Sequence, residues 1–342
     1  MPPAPDADLP LLPLTDHARQ AQTPLVSICC ATYNHEPFIA EAIEGFLMQR
    51  TRFPVEILIH DDASTDRTAA IVRSYEARYP GLIRTIYQAE NQYSKNVHVA
   101  HLNYARARGS YIALCEGDDA WSDPLKLEKQ IALMGEHPEC QLSFHCAQRI
   151  DYARNGLRKT VGVYGDANRV IATEEVIVKK KYGTIPTASC VASIDAIRRF
   201  TEFTCARPYL TLGDIYMQII SSLNGGALYI NEPMSIYRAR TEGSWTRRAE
   251  NNPAFRIRHA RAVARSFIEL DALTDHRFSD AFQQATRKYV NGVIRARDID
   301  TGEKAQLYHE YRAILRTADR LAYLFRSLLP ARRKSGTTGS GR

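Results

Sequence analysis

The sequence predicts an α/β protein: a mixed, mostly parallel sheet flanked by helices, followed by a helical C-terminal extension. Three observations predict it. Between residue 25 and about residue 137, apolar β-favouring runs alternate with helical patterns, a strand-helix-strand rhythm that pairs strands in parallel. Polar residues cluster directly after three of those runs, where parallel sheets hold their ligands. From residue 255 the composition turns helical, with apolar positions such as Phe267, Leu270, Phe282, Tyr289, Val293, Leu307, Tyr311, Leu315, Leu321 and Phe325.

Taken in order, residues 1–23 hold five prolines and no sustained periodicity, and read as a disordered or loosely attached leader. Strands are expected at 25–31, 55–60, 82–87 and 111–115, and helices at 36–49, 65–79, 97–108 and 123–137. Further strands are expected at 141–147, 185–192 and 227–237, with a helix over 214–223. These elements make one α/β domain over 24–250, then a helical extension over 251–329. The Gly, Ser, Thr and Arg residues of 330–342 read as a disordered basic tail.

Composition excludes several classes. Across 342 residues, 44% hydrophobic and 24% charged, the chain has the make-up of a folded, water-soluble protein rather than a disordered or membrane-spanning one. Seven cysteines make no paired metal-ligand spacing, so they read as small buried thiols of a reducing compartment. Without a charged start followed by an apolar run, the expected location is cytoplasmic. The net charge of +7 gathers late: beyond Asp319 there is no acid, against Arg320, Arg326, Arg332, Arg333, Lys334 and Arg342. Such a tail favours peripheral contact with an anionic membrane at its inner face. No nucleic-acid-binding motif accompanies it, so nucleic acid is excluded as a partner. No strand is followed by a Walker-type or G-x-G-x-x-G loop, against P-loop and nicotinamide enzymes. His35, His60, His98, His101 and His145 fit no ligand spacing.

The chemistry gathers in three loops. After the first strand come Thr32, Tyr33, Asn34 and His35; after the second, Asp61, Asp62, Ala63, Ser64, Thr65 and Asp66; after a later one, Glu116, Gly117, Asp118 and Asp119. Adjacent Asp118 and Asp119 supply hard oxygens for Mg²⁺ or Mn²⁺, which would bridge the phosphate oxygens of a departing nucleoside diphosphate. The competing reading is a solvated acidic turn or a helix cap before Pro124. Asp62 could accept the imide N–H of a uracil or thymine ring, and Tyr33 could stack on its face. Asp61 is equally suited to a structural hydrogen bond beneath its loop, and Asp66 or Ser64 to capping the next helix.

The runs V-S-I-C-C-A-T-Y-N-H, V-E-I-L-I-H-D-D-A-S-T-D and A-L-C-E-G-D-D-A-W, in that order and spacing, resemble the inverting family 2 glycosyltransferases of the Rossmann-like GT-A fold. The resemblance covers residues 25 to about 237. It implies a nucleotide-sugar half over 24–138 and an acceptor half over 139–250. It places Thr32, Tyr33, Asp61, Asp62 and Asp118 at the nucleotide, with Tyr33 on the base, Asp62 paired to it and Asp118 near the ribose. Asp119 becomes the ligand of a divalent metal (Mn or Mg), though Glu116-Gly117-Asp118 ahead of it leaves open which carboxylate binds. Asp214 after Gly213 becomes the base that deprotonates the acceptor hydroxyl, alongside its competing role as a helix cap. Tyr237 to Arg240 and Glu242 to Trp245 would close over the diphosphate, or form a solvated loop.

The implied reaction moves a sugar from a UDP- or dTDP-sugar to a saccharide or lipid-linked acceptor in surface polysaccharide synthesis. Two alternatives stand beside it. A sugar nucleotidyltransferase would need a Gly-rich basic loop after the first strand, which A-T-Y-N-H-E-P-F lacks. A non-catalytic saccharide- or membrane-binding protein would show no metal-dependent nucleotide binding.

Overall fold

A computed structural model describes residues 9–18, 23–179, 183–211 and 213–327. The basic tail of 330–342 lies outside them, as do residues 1–8 and 19–22 of the leader. The chain divides into two compact units, Met1–Asn251 and Asn252–Arg342.

In the first unit the leader contributes structure, which corrects the expectation of disorder for residues 9–18. Strand β1 (Leu12–Pro13) leads into a short helix α1 (Leu14–Ala18). Next come β2 (Val26–Thr32), α2 (Ile39–Leu47) and β3 (Arg50–Thr51), the last paired antiparallel with β1. Leu14 is fully buried, and the His17 ring lies 2.8 Å from Thr51 O. Three apolar residues within Leu11 to Leu14 explain the docking: even a proline-rich segment gains by burying them.

The core of the unit follows as β4 (Val55–Asp61), α3 (Thr68–Arg78), β5 (Ile83–Tyr87), α4 (Ala100–Tyr104) and β6 (Tyr111–Leu114). β6, β2, β4 and β5 pair in parallel. β4 is buried at every position, as a parallel strand covered on both faces must be, so its sequence shows no alternation. Val26, Ile28, Ile57 and Ile59 of these strands join Ile39, Ile43 and Phe46 of α2 and Val72 of α3 in one apolar cluster.

Beyond β6 the sheet becomes mixed. β7 (Ala120–Trp121) and α5 (Lys126–Glu136) precede β8 (Leu142–His145), β9 (Ala147–Asp151) and β10 (Leu157–Val161). Then follow β11 (Arg169–Ile171), α6 (Thr173–Val178), β12 (Val191–Ser193), α7 (Ile194–Cys205) and α8 (Asp214–Ser222). β13 (Ala227–Ile230), β14 (Ser235–Ala239) and α9 (Trp245–Asn251) complete the unit. The main sheet runs β11-β13-β8-β12-β6-β2-β4-β5, and a second, four-stranded sheet runs β10-β9-β14-β7. β12 lies antiparallel to both its neighbours and β11 is antiparallel to β13, while the other four ladders of the main sheet are parallel, so the sheet is mixed and mostly parallel, as expected.

The single strands expected at 141–147 and 227–237 are each two strands, one in either sheet. Pro233 cannot donate to a ladder and separates β13 from β14. Pro186 likewise leaves only Val191–Ser193 of the expected strand at 185–192, behind a 3₁₀ turn over Thr187–Ser189.

In the second unit, α10 (Pro253–Leu273) starts at Asn252, whose Oδ1 accepts from Phe255 N, with a proline in its first turn. α11 (Ser279–Ile294), α12 (Thr301–Tyr311) and α13 (Thr317–Ser327) follow. Ile257, Ala260 and Ala264 pack with Val290, Val293, Leu307 and Tyr311 in a separate core. Among the described residues no helix is long and apolar enough to cross a membrane.

Candidate functional site

The register of the main sheet aligns Thr32 with Asp61, so the loops after β2 and β4 start side by side. They are then laced together. Asn34, in the left-handed region at φ 55, donates its N–H to Ser64 Oγ and accepts from Thr65 N at 2.8 Å. His35 N donates to Thr68 Oγ1, and Asp66 accepts from Glu36 N and Thr68 N. Asp66 therefore caps α3 and tethers the neighbouring loop at once.

The nucleotide-binding candidates on these loops sort by depth. Tyr33 is 41% exposed and offers an open aromatic face, whereas Thr32, Asp61 and Asp62 are buried. Thr32 Oγ1 lies 3.2 Å from His35 Nδ1, and Asp61 accepts from Ser64 N and Ser64 Oγ, the structural bond beneath the loop. Asp62 accepts from Gln92 N at 2.8 Å and Tyr93 N at 3.0 Å, so its carboxylate fixes the turn after β5.

The third loop lies against the first. Gly117 N donates to Ala31 O, and a Cβ added at Gly117 would stand 2.5 Å from Thr32 Oγ1; only glycine fits this approach. The loop carries three acids within four residues. Asp119, the metal ligand expected from sequence, is buried, and its Oδ1 accepts from Arg238 N at 2.8 Å. Asp118 is half-buried, with Oδ2 taking the Thr241 hydroxyl at 3.0 Å. Glu116 is solvent-exposed, though protein surrounds it closely. Enclosure, then the charges of Asp118 and Asp214, push its carboxyl up to about 8. Burial, then Asp118 and Glu116, hold Asp119 well above the usual range, against the Arg238 N–H and charge.

Asp214 is half-buried at the start of α8, where its Oδ1 accepts from Ile215 N. Burial raises its carboxyl and the nearby Lys179 opposes the rise. Its charge is felt at Glu116, at Tyr104 and at Tyr237, which burial, then Asp119, lift to about 12. Acids nearly a hundred residues apart in sequence therefore share one electrostatic neighbourhood. Thr241 on Asp118 and Trp245, whose Nε1 donates to Thr211 O, link the segment after β14 to the acid loop and to the approach to α8.

The arginines expected to clamp a diphosphate are engaged elsewhere. Arg238 is 5% exposed, donates to Asp118 O and to Glu41, and lies over the Phe38 ring. Arg240 pairs with Asp151 at 2.7 Å and with Glu250. Arg238 braces the acid loop against β14, whereas Arg240 ties the end of β14 to Asp151 and Glu250, and long-range ion pairs of this kind leave no trace in local spacing. Sequence reasoning also gave Glu116 no role of its own; its signal was a third acid two positions before Asp118.

Among the described residues no three His, Cys, Asp or Glu side chains converge as a ready metal cage. Hard divalent cations bind instead through one or two carboxylates plus substrate phosphates. Clustered acids that mutually oppose ionisation fit that donor set: a cation would relieve the repulsion.

A mixed sheet with its polar loops at one edge and an acid cluster at the centre of that edge is the arrangement of the GT-A fold. The chain superimposes on Staphylococcus aureus TarS 1–349, solved in complex with UDP-GlcNAc, with TM-score 0.63 at 14% identity, covering 86% of this chain and 83% of that one. Residues 27–186 match the model described as glycosyl transferase family 2. An uncharacterised protein of Mycobacterium tuberculosis is 36% identical over 235 residues, 64% of this chain and 60% of that protein. The match thus spans about three-fifths of that curated relative's length. A putative teichuronic acid biosynthesis glycosyltransferase of Bacillus subtilis, TuaG, is 36% identical over 121 residues, 35% of this chain and 46% of that one.

Proposed function

We propose that the chain is an inverting, metal-assisted glycosyltransferase that moves a sugar from a nucleoside-diphosphate donor to the hydroxyl of a saccharide or lipid-linked acceptor. The observation that carries this reading is the shared neighbourhood of the acid loop and Asp214: Glu116 feels both Asp118 and Asp214. A divalent cation, Mn²⁺ or Mg²⁺, held at the acid loop would neutralise charge on the departing diphosphate. Asp118 and Glu116, which water reaches, face the donor; Asp119, buried behind them, sets the loop against Arg238 and completes the negative field. Tyr33 offers its ring to the nucleobase, and the turn fixed by Asp62 lines the same side, with Thr32 and Asp61 holding the loops in place. Asp214 accepts the proton of the attacking hydroxyl from the opposite side of the sugar.

The TuaG match favours a surface polysaccharide as product and TarS a uridine diphosphate donor; a chain serving such acceptors would work at the cytoplasmic face of the membrane, where its basic tail would help hold it. A donor-hydrolysis panel of UDP- and dTDP-sugars with Mn²⁺ or Mg²⁺ tests the reading. Asp118→Asn and Asp214→Asn should each lower turnover at least about a hundredfold while the urea midpoint stays near wild type. Full activity in both variants would defeat the assignment, and pyrophosphate release from a nucleoside triphosphate would favour a nucleotidyltransferase instead.

A further inference from the structure

The hairpin of β9 and β10 is held in shape at its turn and bare along its outer strand. Asp151, buried at the end of β9, accepts from Ala153 N at 3.2 Å and from Arg149 and Arg240 at 2.9 and 2.7 Å, and its carbonyl takes Gly156 N. A 3₁₀ turn over Tyr152–Arg154 follows, then Asn155 and Gly156 at φ 49 and 73, in the left-handed region that lets the chain reverse. From Tyr152 to Thr160 every residue is exposed. That stretch carries Arg154, Arg158 and Lys159 and no acid. Arg154 lies 4.0 Å from Asp151, a carboxylate already held by the other two arginines. At the turn Tyr152 is 46% and Leu157 52% exposed, and pairing of Leu157 with Asp151 brings the two to the same end of the hairpin.

The hairpin is moored to the acid loop. β9 pairs with β14, which sets Ile150 opposite Arg238, and Arg238 donates to Asp118 O at 2.9 Å. The Tyr152 ring meets the Phe38 ring edge to face at 5.6 Å, and the Arg238 guanidinium lies 5.0 Å from the Phe38 ring centre. Tyr152 therefore stands two contacts from the acid loop, beside the segment that leads from Tyr33 into α2.

Basic residues on an edge strand discourage pairing with a further strand, and β10 is the edge of its sheet. That purpose asks for no bulky apolar side chain at the turn. An anionic lipid surface calls for both features: cations to meet its phosphates, and an amphipathic ring and an aliphatic side chain to sink among its headgroups. A fluid surface of this kind demands charge and apolar bulk at the tip rather than an exact length of turn.

We propose that the tip of the β9–β10 hairpin docks on an anionic lipid surface, with Tyr152 and Leu157 entering the headgroup layer and Arg158 and Lys159 meeting the phosphates. The acid loop is thereby held at a set distance from the membrane. The inference deepens the lipid-linked acceptor reading given above and rests on it for its purpose, while its measurement involves no turnover.

The test uses the full chain carrying Cys205→Ser, which leaves the six buried cysteines, and Ala153→Cys labelled with nitrobenzoxadiazole. Vesicles of phosphatidylcholine with one-third phosphatidylglycerol should shift its emission to the blue, and pure phosphatidylcholine should not. In sedimentation with the anionic vesicles, Arg158→Gln with Lys159→Gln should weaken partition about twentyfold, since each cation near such a surface contributes about fivefold. Leu157→Ser should weaken it about threefold to tenfold, the loss expected for a half-exposed aliphatic side chain. Sedimentation without a blue shift would overturn the proposal by assigning the contact to another face or to the basic tail, and so would a partition that the paired glutamines leave unmoved. Binding of a soluble polyanion, dextran sulfate, that depends on Arg158 and Lys159 while the label stays in water on vesicles would make an acidic polymer the partner and overturn it as well. Failure of the donor-hydrolysis panel would sink the transferase reading and leave these vesicle results standing.

Discussion

Substitution of Gly117 by alanine puts the apposition of the first and third loops to a direct test. The new Cβ would meet Thr32 Oγ1 at 2.5 Å, Thr32 Cβ at 2.7 Å and His35 Nδ1 at 3.0 Å, where carbon atoms normally settle at about 3.5–4.0 Å. Neither partner can retreat freely. Thr32 is β-branched and stiff, buried, paired in register with Asp61 and in contact with His35. The loop itself is held by Gly117 N on Ala31 O at 3.0 Å. Overpacking of a closed site costs about 1–3 kcal/mol, and two rigid contacts place Gly117→Ala at the upper end. If the chain relieves the clash by moving the loop, Glu116 and Asp118 move with it, and nucleotide affinity falls even where stability is partly kept. Urea denaturation reads the first quantity, and calorimetry with UDP and Mn²⁺ the second. Thr32→Ala removes the nearest atom, so the double variant should recover part of the loss, a coupling of about 0.5–3 kcal/mol. A Gly117→Ala protein with wild-type urea midpoint and wild-type affinity would refute the close packing of these loops.

Two further outcomes follow from buried groups. Lys126 is fully buried, its Nζ 2.7 Å from Gln130 Oε1 and 4.1 Å from the Trp121 ring centre, and burial lowers its ammonium from 10.5 to about 7. A base depressed on folding leaves the unfolded chain with more bound protons between those values, so wild-type stability should rise with pH there by up to about 1.4 kcal/mol per unit. Lys126→Met should lack that slope, and parallel urea midpoints for the two proteins from pH 6.5 to 9.5 would sink the idea. Among the cysteines, Cys205 is exposed while the other six are buried, and burial pushes Cys190 up to about 12 and Cys140 up to about 11. A thiol reagent at pH 8 should therefore label one cysteine in the native chain, and Cys205→Ser should abolish that labelling; prompt reaction of several thiols without denaturant would contradict the packing.

Much of the sheet from β2 to β6 was legible because its signals are local. β2, β4 and β6 are apolar runs bounded by polar loops, and the parallel rhythm brings those loops to one edge whatever the details of packing. The acid loop announced itself by spacing. What escaped depends on partners distant in sequence. An alternating run such as residues 141–151 says that strand is present but not that it divides between two sheets. Arg238 and Arg240 read as phosphate clamps until Glu41, Asp151 and Glu250 were brought beside them. Depth was equally hidden: Asp118 and Asp119 are chemically alike and adjacent, and only the pairing of β14 with β7 and the Arg238 N–H decide which of them faces water.

The chain passes from the main sheet to the smaller one at three places: through the acid loop between β6 and β7, at Cys146 between β8 and β9, and across Pro233 between β13 and β14. Both ends of the acid loop are thus moored in ladders, and neither can slide without breaking register. A residue inserted between Cys115 and Ala120 would have no slack to absorb it, whereas the Asn155-Gly156 bend joining β9 to β10 sits at a free rim. Lineages descended from this chain should accordingly differ in length at that bend while the acid loop keeps its number of residues, and an insertion scan scored for folded yield would show the same contrast.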